Sequence, residues 1–98
     1  MTTQQIAQIF NHIADILEIQ GENVFKIRAY RKAAETIANF AGDISSLSEK
    51  ELAELPGIGE TIAKKTRELV ETGKLQYYED LKKSEYAPLV ELLQIQSV

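Results

Sequence analysis

The chain has 98 residues, of which 44% are hydrophobic and 27% are charged, and this composition predicts one globular domain over residues 1–98. It contains no cysteine, which excludes a disulfide framework, a thiolate metal site and a cysteine nucleophile. No apolar run approaches the roughly 20 residues of a membrane helix, and no signal peptide is apparent, so we expect a cytoplasmic protein without a membrane partner.

The net charge of −4 argues at first against a nucleic-acid partner. The basic residues are clustered, however: residues 26–32 carry four lysines and arginines, and residues 64–67 carry three more. Local potential matters more than the total charge for binding an anion. The clusters therefore predict two phosphate-binding segments, with two solvated helix faces as the alternative.

The first predicted helix begins at a capping box formed by Thr2 and Gln5, and Gly21 ends it. Its apolar residues recur at spacings of three and four, which is typical of an amphipathic helix. These residues are Ile6, Ile9, Phe10, Ile13, Ile16 and Leu17. His12 lies in this helix without a set of further ligands around it, which favours a surface or packed histidine over a metal ligand. We expect no metal site and no cofactor.

Asn23 is the predicted cap of a second helix that runs to about Asn39. Helical spacing puts Arg28 and Lys32 on its exposed side, whereas Lys26 lies one turn from Tyr30, near the buried edge. The apolar side consists of Ile27, Tyr30, Ala34, Ile37 and Ala38. Residues 43–47 form a short connection.

A second capping box, Ser48 with Glu51, predicts a third helix, which Pro56 ends near Leu55. The following turn has the sequence LPGIG.

We expect Gly57 and Gly59 to adopt backbone angles closed to other residues, and Ile58 to point inward as an anchor. The amides of this turn and of the next helix would then be free to bind phosphate. The alternative is an ordinary corner between two helices, whose glycines serve only the turn.

The helix after the turn runs to Thr72 and Gly73, and Lys64 and Arg67 face outward from it. Lys65 falls on the margin of its buried stripe, where the stem can pack and the amine can emerge. That stripe consists of Ile58, Ile62, Thr66, Leu69 and Val70. Residues 77–83 and 88–93 form two further short helical pieces. The predicted fold is all-α, a compact bundle of four to six helices with one helix–hairpin–helix motif at about residues 48–72.

Residues 21–34, with the sequence GENVFKIRAYRKAA, are followed by the LPGIG turn and by Thr72-Gly73. This combination resembles the amino-terminal domain of family X DNA polymerases, and it is closer to the bacterial and archaeal branch than to eukaryotic polymerase beta. The resemblance covers essentially the whole chain. It implies a helical bundle that binds single-stranded or gapped DNA at a 5′-phosphate end in base excision repair. It also implies a polymerase domain as a partner in a longer parent protein.

In several family members this domain removes a 5′-deoxyribose phosphate through a lysine Schiff base, and the resemblance puts Lys65 on that lysine. It puts Lys26 on a phosphate-binding lysine and Tyr30 on a site tyrosine. The residues that we expect to contact DNA or phosphate are Gly57, Ile58, Gly59, Thr61, Lys64, Lys26, Tyr30, Arg28 and Arg31.

Three departures from the eukaryotic pattern bear on the chemistry. Thr61 stands where that pattern has a basic residue, and Lys64 stands where it has an acid. Glu60 adds negative charge beside the expected phosphate site. These changes weaken phosphate binding and remove a candidate carboxylate for proton transfer.

The sequence leaves several alternatives open. Lys65 is either the catalytic lysine or a non-catalytic DNA contact, and this chain alone has no polymerase activity. It is either an excised domain or a stand-alone relative. The alternative function is a protein-interaction bundle that has lost DNA binding and docks through an apolar patch at Leu89, Val90, Leu92 and Leu93.

Overall fold

A computed structural model describes residues 1–83, and these residues form an all-α fold without a β-strand, which confirms the predicted class. The elements in chain order are α1 (Thr3–Ile19), α2 (Val24–Ala38), a 3-10 turn (Ile44–Ser46), α3 (Glu49–Ala53), α4 (Glu60–Thr72) and a further helix, α5, over residues 76–83. The predicted helix at 88–93 and its apolar patch lie outside the described residues. No helix within residues 1–83 is both long enough and apolar enough to cross a membrane.

The first two helices form the largest helix–helix contact of the fold, and their predicted caps are present. The Thr2 hydroxyl accepts the Gln5 amide at 3.1 Å, and the Asn23 side chain accepts the Phe25 amide at 2.8 Å. The alanines at 33 and 34 are fully buried, which lets α1 and α2 approach closely. Apolar side chains from every element share one core. Its largest fully buried members are Phe10, Ile6, Ile13, Ile16, Leu17, Ile37, Ile44, Leu52, Leu69 and Leu75.

The predicted capping box of α3 is also present, but this helix is shorter than expected. Its last regular residue is Ala53, whereas the sequence predicted an end near Leu55. The Leu55 amide bonds to the carbonyl of Leu52, three residues back, at 3.1 Å. The chain tightens there because Pro56 disfavours α-helical geometry at the residue before it.

The turn between α3 and α4 depends on one glycine for its backbone conformation. Gly57 has a φ of +79°, and the Ile58 amide closes the turn by donating to the Leu55 carbonyl at 3.1 Å. Ile58 is 3% exposed, which confirms its predicted role as an anchor. The expectation that Gly59 needs a special conformation was wrong, because its φ of −96° and ψ of −175° describe extended backbone open to any residue.

Helix α2 packs directly on this turn. The Thr36 hydroxyl donates to the Pro56 carbonyl at 2.6 Å. The stem of Lys32 crosses the position that a Cβ would occupy at Gly57, so that a methyl group there would overlap the Lys32 Cγ. At Gly59, by contrast, a Cβ would meet no atom of the described part of the chain within 4 Å. The packing therefore brings the basic segment of α2 to the hairpin that begins α4.

The two glycines should respond differently to substitution. Gly57→Ala should lower the free energy of unfolding by at least about 1 kcal/mol, because it forces an L-residue to positive φ and creates the overlap with Lys32. Gly59→Ala is the matched control and should change the free energy of unfolding by no more than about 0.5 kcal/mol. Urea unfolding monitored by circular dichroism measures both.

A Lys32→Ala background isolates the steric part of this effect. Removing the Lys32 stem should reduce the penalty of Gly57→Ala without abolishing it, since the strain of positive φ stays. Equal penalties for Gly57→Ala in both backgrounds would contradict the contact between Lys32 and the hairpin.

Candidate nucleic-acid interface

The start of α4 presents backbone donors without partners. Gly59, its N-cap residue, makes no side-chain capping bond, and the first amide that bonds within the helix is that of Ala63, to the Gly59 carbonyl at 2.9 Å. The amides of Glu60, Thr61 and Ile62 have no hydrogen-bond partner among residues 1–83. Such a helix end, with free N–H groups and the positive end of the helix dipole, is suited to an anion.

The residues of the turn that were predicted to contact DNA differ in how exposed they are. Gly57 and Gly59 are exposed, as is Thr61 at the start of α4, so their backbone is accessible. Ile58 is different, because its side chain is buried and its amide is already used inside the turn. Its contact with DNA stays a prediction, whereas its anchoring role follows from the packing.

Lys65 and Lys26, the two lysines assigned to the site by resemblance, meet at one aromatic ring. The Lys65 Nζ lies 4.7 Å from the centroid of the Tyr77 ring, and the Lys26 Nζ lies 5.6 Å from the same centroid. Tyr30 stacks on this ring with a centroid distance of 5.9 Å and an interplanar angle of 14°. The structure thus gathers Lys26, Tyr30 and Lys65 in one place, as expected, and adds Tyr77.

The amine of Lys65 is partly shielded from solvent. Burial lowers its pKa below the ordinary value, the negative charge of Glu68 opposes that shift, and the positive charge of Lys26 reinforces it. A lysine with a lowered pKa carries more of the unprotonated amine near neutral pH, which is the form that attacks carbonyl groups. The position on the margin of the core, predicted from the helical wheel, is confirmed because Lys65 is half-buried.

Tyr30 is 4% exposed, and burial, followed by the influence of the nearby Tyr77, raises the pKa of its hydroxyl far above the usual range. The Tyr77 hydroxyl is itself buried without a hydrogen-bond partner among the described residues. A buried unpaired hydroxyl is costly. The floor of the site is therefore aromatic and apolar, and both lysine amines lie at its margin.

Tyr77 was not predicted to be a site residue, because its position depends on how α5 attaches to α4. Gly73 ends α4 with a φ of +75°, and the Glu68 carboxylate accepts the Gln76 amide at 2.8 Å. Leu75, between them, is 1% exposed. These contacts turn the chain back so that Tyr77 faces Lys65. The sequence feature that could have pointed to Tyr77 was an aromatic residue at the start of a predicted helix, four residues after a helix-ending glycine.

The remaining basic residues fall into two groups. Arg28 and Lys64 are exposed and have no ion-pair partner among residues 1–83. Arg31 is engaged instead, because its guanidinium lies 2.8 Å from both Asp15 and Glu18 on α1. Its contact with DNA stays a prediction, and it would have to leave this pairing to reach a phosphate.

Arg67, part of the second basic cluster, serves the fold. Its guanidinium donates to the carbonyls of Ser45 at 3.1 Å and Leu47 at 3.0 Å, and it pairs with Glu71 at 3.0 Å. It therefore ties the 3-10 turn to α4. The sequence predicted that it faces outward, but the side chain is only 24% exposed.

An open groove of about 590 Å³ lies beside Arg67, between the 3-10 turn, α3 and α4. Neither Lys65 nor Tyr77 lines it, and its charged lining is mostly acidic: Glu49, Glu51, Glu68, Glu71, Lys64 and Arg67. The four carboxylates in this lining repel phosphate, so the groove is not the anion site. Residues 1–83 also bring no group of three histidine, aspartate or glutamate side chains into a metal-holding arrangement.

Comparison with known proteins gives a family match and matches to individual proteins. Residues 1–75 match the family model described as a helix-hairpin-helix domain. Over 96 residues, the chain is 34% identical to a protein of Bacillus subtilis (strain 168) named DNA polymerase/3'-5' exonuclease PolX. That match covers 97% of this chain and 16% of the Bacillus protein, so the chain spans only a small part of that relative.

The raised pKa of Tyr30 has a consequence at alkaline pH. A group whose pKa is higher in the folded than in the unfolded state stabilises the fold below the unfolded value, about 10 for tyrosine, and this contribution is lost as pH rises further. The urea midpoint of the wild-type chain should therefore fall as pH increases above about 10. In Tyr30→Phe this fall should be smaller. A fall of equal size in both proteins would contradict the burial of an ionisable hydroxyl at this position.

Proposed function

Since the chain belongs to the helix-hairpin-helix domain family, we propose that it binds DNA through the hairpin and the lysines beside it. The resemblance to the amino-terminal region of a family X DNA polymerase is confirmed by the Bacillus relative. The DNA forms that fit best are single-stranded or gapped DNA with a 5′-phosphate end, as in gap and base excision repair. A cytoplasmic location stays a prediction.

The observation that carries this proposal is the convergence of donors from two helices. Three amides at the start of α4 have no hydrogen-bond partner among residues 1–83, and the Lys65 ammonium follows one turn later. Helix α2 supplies Lys26 at the Tyr77 ring and packs Lys32 on the hairpin. A phosphate is a multivalent hydrogen-bond acceptor with negative charge, and this arrangement offers it amides and cations together.

The net negative charge of the chain is compatible with this function because some basic residues are paired with carboxylates of the fold and others are not. Arg31 and Arg67 are neutralised by carboxylates of their own fold. Lys64 and Arg28 stay exposed and unpaired among residues 1–83, on the helices that carry Lys65 and Lys26. Field strength at the site depends on these nearby charges, since charges beyond a Debye length of about 8 Å are screened in physiological salt.

We further propose that Lys65 acts as a lyase nucleophile on a 5′-deoxyribose phosphate. Its unprotonated amine adds to C1′ of the open-chain sugar, and loss of water forms an imine. The imine acidifies the C2′–H bond, and a base removes that proton. The electron pair forms a C2′–C3′ double bond and breaks the bond between C3′ and its oxygen, so that the DNA strand leaves with a 5′-phosphate. Hydrolysis of the imine then releases the sugar and restores the amine. Burial of the Lys65 stem and the nearby Lys26 charge support this role, because both lower the pKa of the amine.

The same geometry also suits a Lys65 that only contacts DNA. The carboxylate whose charge acts on Lys65 is that of Glu68, and it already accepts the Gln76 amide. It is therefore tied to the fold rather than free to remove the C2′ proton. Proton transfer would then depend on water or on a phosphate of the DNA, and the adduct experiment below separates the two roles.

A protein-interaction function is the alternative, and one observation favours it. Ile19, Val24 and Phe25 are 69%, 56% and 76% exposed at the junction of α1 and α2. Exposed apolar clusters of this kind are common at protein contacts. A partner or dimer contact through this surface, together with no DNA complex in a gel shift at low salt, would decide for this alternative.

Binding to gapped DNA should depend on the 5′-phosphate and on salt. The affinity should be higher with a phosphorylated than with an unphosphorylated 5′ end. It should fall with salt concentration, with a logarithmic slope of roughly 0.7 for each phosphate neutralised on single strands. A gel-shift series with both DNA ends at several salt concentrations measures this. Equal affinities for the two ends would contradict a pocket for the terminal phosphate.

Lysine-to-alanine variants assign the effect to the proposed site. The double variant Lys26→Ala/Lys65→Ala should lose most of the preference for the phosphorylated end and reduce the salt slope by up to about 2. Lys83→Ala is the control, because Lys83 is exposed at the far end of the described part of α5. It removes one charge, as each site substitution does, and should leave the preference intact.

The lyase proposal predicts a covalent adduct at one lysine. Borohydride reduction of a mixture with 5′-deoxyribose-phosphate DNA should trap the wild-type chain, and Lys65→Ala should abolish that adduct. Lys64→Ala is the matched control, since it changes the neighbouring exposed lysine and should retain trapping. An adduct that persists in Lys65→Ala, or is absent from the wild-type chain while DNA binding is retained, would exclude Lys65 as the nucleophile.

A further inference from the structure

Tyr77 holds a position that the proposed function does not by itself explain. Its ring contacts the ammonium groups of two lysines from two different helices, and it stacks on Tyr30. We propose that Tyr77 is a positioning residue: its ring holds the Lys65 and Lys26 amines together, ready for one phosphate-bearing sugar. This inference rests on the proposed function, because the amines it positions are those of the proposed site.

The physical basis is the attraction between an ammonium group and the face of an aromatic ring, which operates within about 6 Å of the centroid. Both amine distances, 4.7 and 5.6 Å, fall within that range. A lysine has a flexible four-carbon stem, and fixing it at the moment of binding costs conformational entropy. A ring that orders both amines beforehand reduces this cost and so raises the affinity.

The surroundings of Tyr77 show that its ring, rather than its hydroxyl, serves this role. The hydroxyl is buried and makes no hydrogen bond among the described residues. The ring is fixed by its stacking on Tyr30, which is in turn 6.0 Å from Phe10 in the core. Tyr77 therefore joins the amines to the rigid centre of the bundle. A phenylalanine would keep these contacts and would remove a buried hydroxyl that has no hydrogen-bond partner within residues 1–83.

The charged and titratable groups that act on Lys65 come from three elements. Lys26 on α2 repels its ammonium form, Glu68 on α4 attracts it, and the rings of Tyr30 and Tyr77 form the apolar wall. Burial is the largest influence and lowers the pKa of Lys65. Removing the Tyr77 ring would expose the amine to water, which raises the pKa, and would also remove the ring's attraction for the ammonium, which lowers the pKa. Because burial is the largest influence on this amine, the pKa should rise toward its ordinary value.

The next residue of α5 offers a matched control. The Lys82 Nζ lies 4.5 Å from the centroid of the Tyr78 ring, which is a similar lysine–tyrosine contact. Tyr78 faces His12 rather than Lys65, with a ring centroid distance of 5.4 Å to His12. Tyr78→Ala therefore removes a comparable ring from the same helix and should leave the proposed site unchanged.

The first measurement uses the reactivity of the amines and needs no DNA. Lysines of the 98-residue chain are methylated with formaldehyde and cyanoborohydride over a pH series, and mass spectrometry reports Lys65 relative to the exposed Lys64. Tyr77→Phe should match the wild-type profile. Tyr77→Ala should shift the Lys65 profile to higher pH and lower its relative rate near neutral pH by about threefold. Circular dichroism verifies that each variant is folded under these conditions.

The second measurement is the affinity for gapped DNA with a 5′-phosphate. Tyr77→Ala should bind about fivefold more weakly, whereas Tyr77→Phe and Tyr78→Ala should stay within about twofold of the wild-type affinity. Tyr77→Leu fills the space without an aromatic ring, and it should show the same loss. It keeps the test valid if the alanine variant does not fold.

The outcomes separate the two proposals. If the wild-type chain does not bind gapped DNA, the proposed function fails, and the methylation profile still tests the effect of Tyr77 on Lys65. If the wild-type chain binds DNA but Tyr77→Ala behaves like Tyr77→Phe in both measurements, the positioning role is wrong. A loss in Tyr77→Phe equal to that in Tyr77→Ala would assign the effect to the hydroxyl and would also overturn it.

Discussion

The contact between α2 and the hairpin is the constraint on which the rest of the structure depends. The Thr36 hydroxyl donates to the Pro56 carbonyl, and the Lys32 stem fills the space that the absent side chain of Gly57 leaves open. This contact joins the two halves of the fold at a polar, exposed corner rather than through the core alone. It brings together two basic segments that are more than 30 residues apart in the chain. The proposed phosphate site draws on both segments.

A second feature is that the basic residues of this acidic chain have different roles. The two arginines that face carboxylates, Arg31 and Arg67, hold elements of the fold together. Lys26 and Lys65 meet at the Tyr77 ring, where burial and the charge of Lys26 favour the neutral amine of Lys65. Arginine suits fixed, multivalent contacts because its guanidinium is planar and always charged, whereas lysine can change its protonation state when it is desolvated. The proposed chemistry at Lys65 depends on this difference.

Local signals in the sequence predicted the elements well. Both capping boxes, the Asn23 cap and the inward position of Ile58 are present as expected, because each depends on residues within four positions of one another. The prediction failed where the local rule was applied too broadly. A glycine at position 59 was expected to need unusual angles, but the positive φ at Gly57 already reverses the chain, and extended backbone then suffices.

By itself, the sequence determined the helical class, the hairpin and the family, because periodicity, caps and the LPGIG turn are encoded in neighbouring residues. It also determined that Lys65 lies at the edge of a buried stripe, since the helical repeat sets that angle. Only the tertiary structure decided which charges are neutralised within the fold and which face the site. It alone placed Tyr77 under the two amines, because that position depends on the turn at Gly73 and on a carboxylate from another helix. The contacts of Tyr77 with Lys26 and Tyr30 join residues distant in sequence, and no local pattern encodes them.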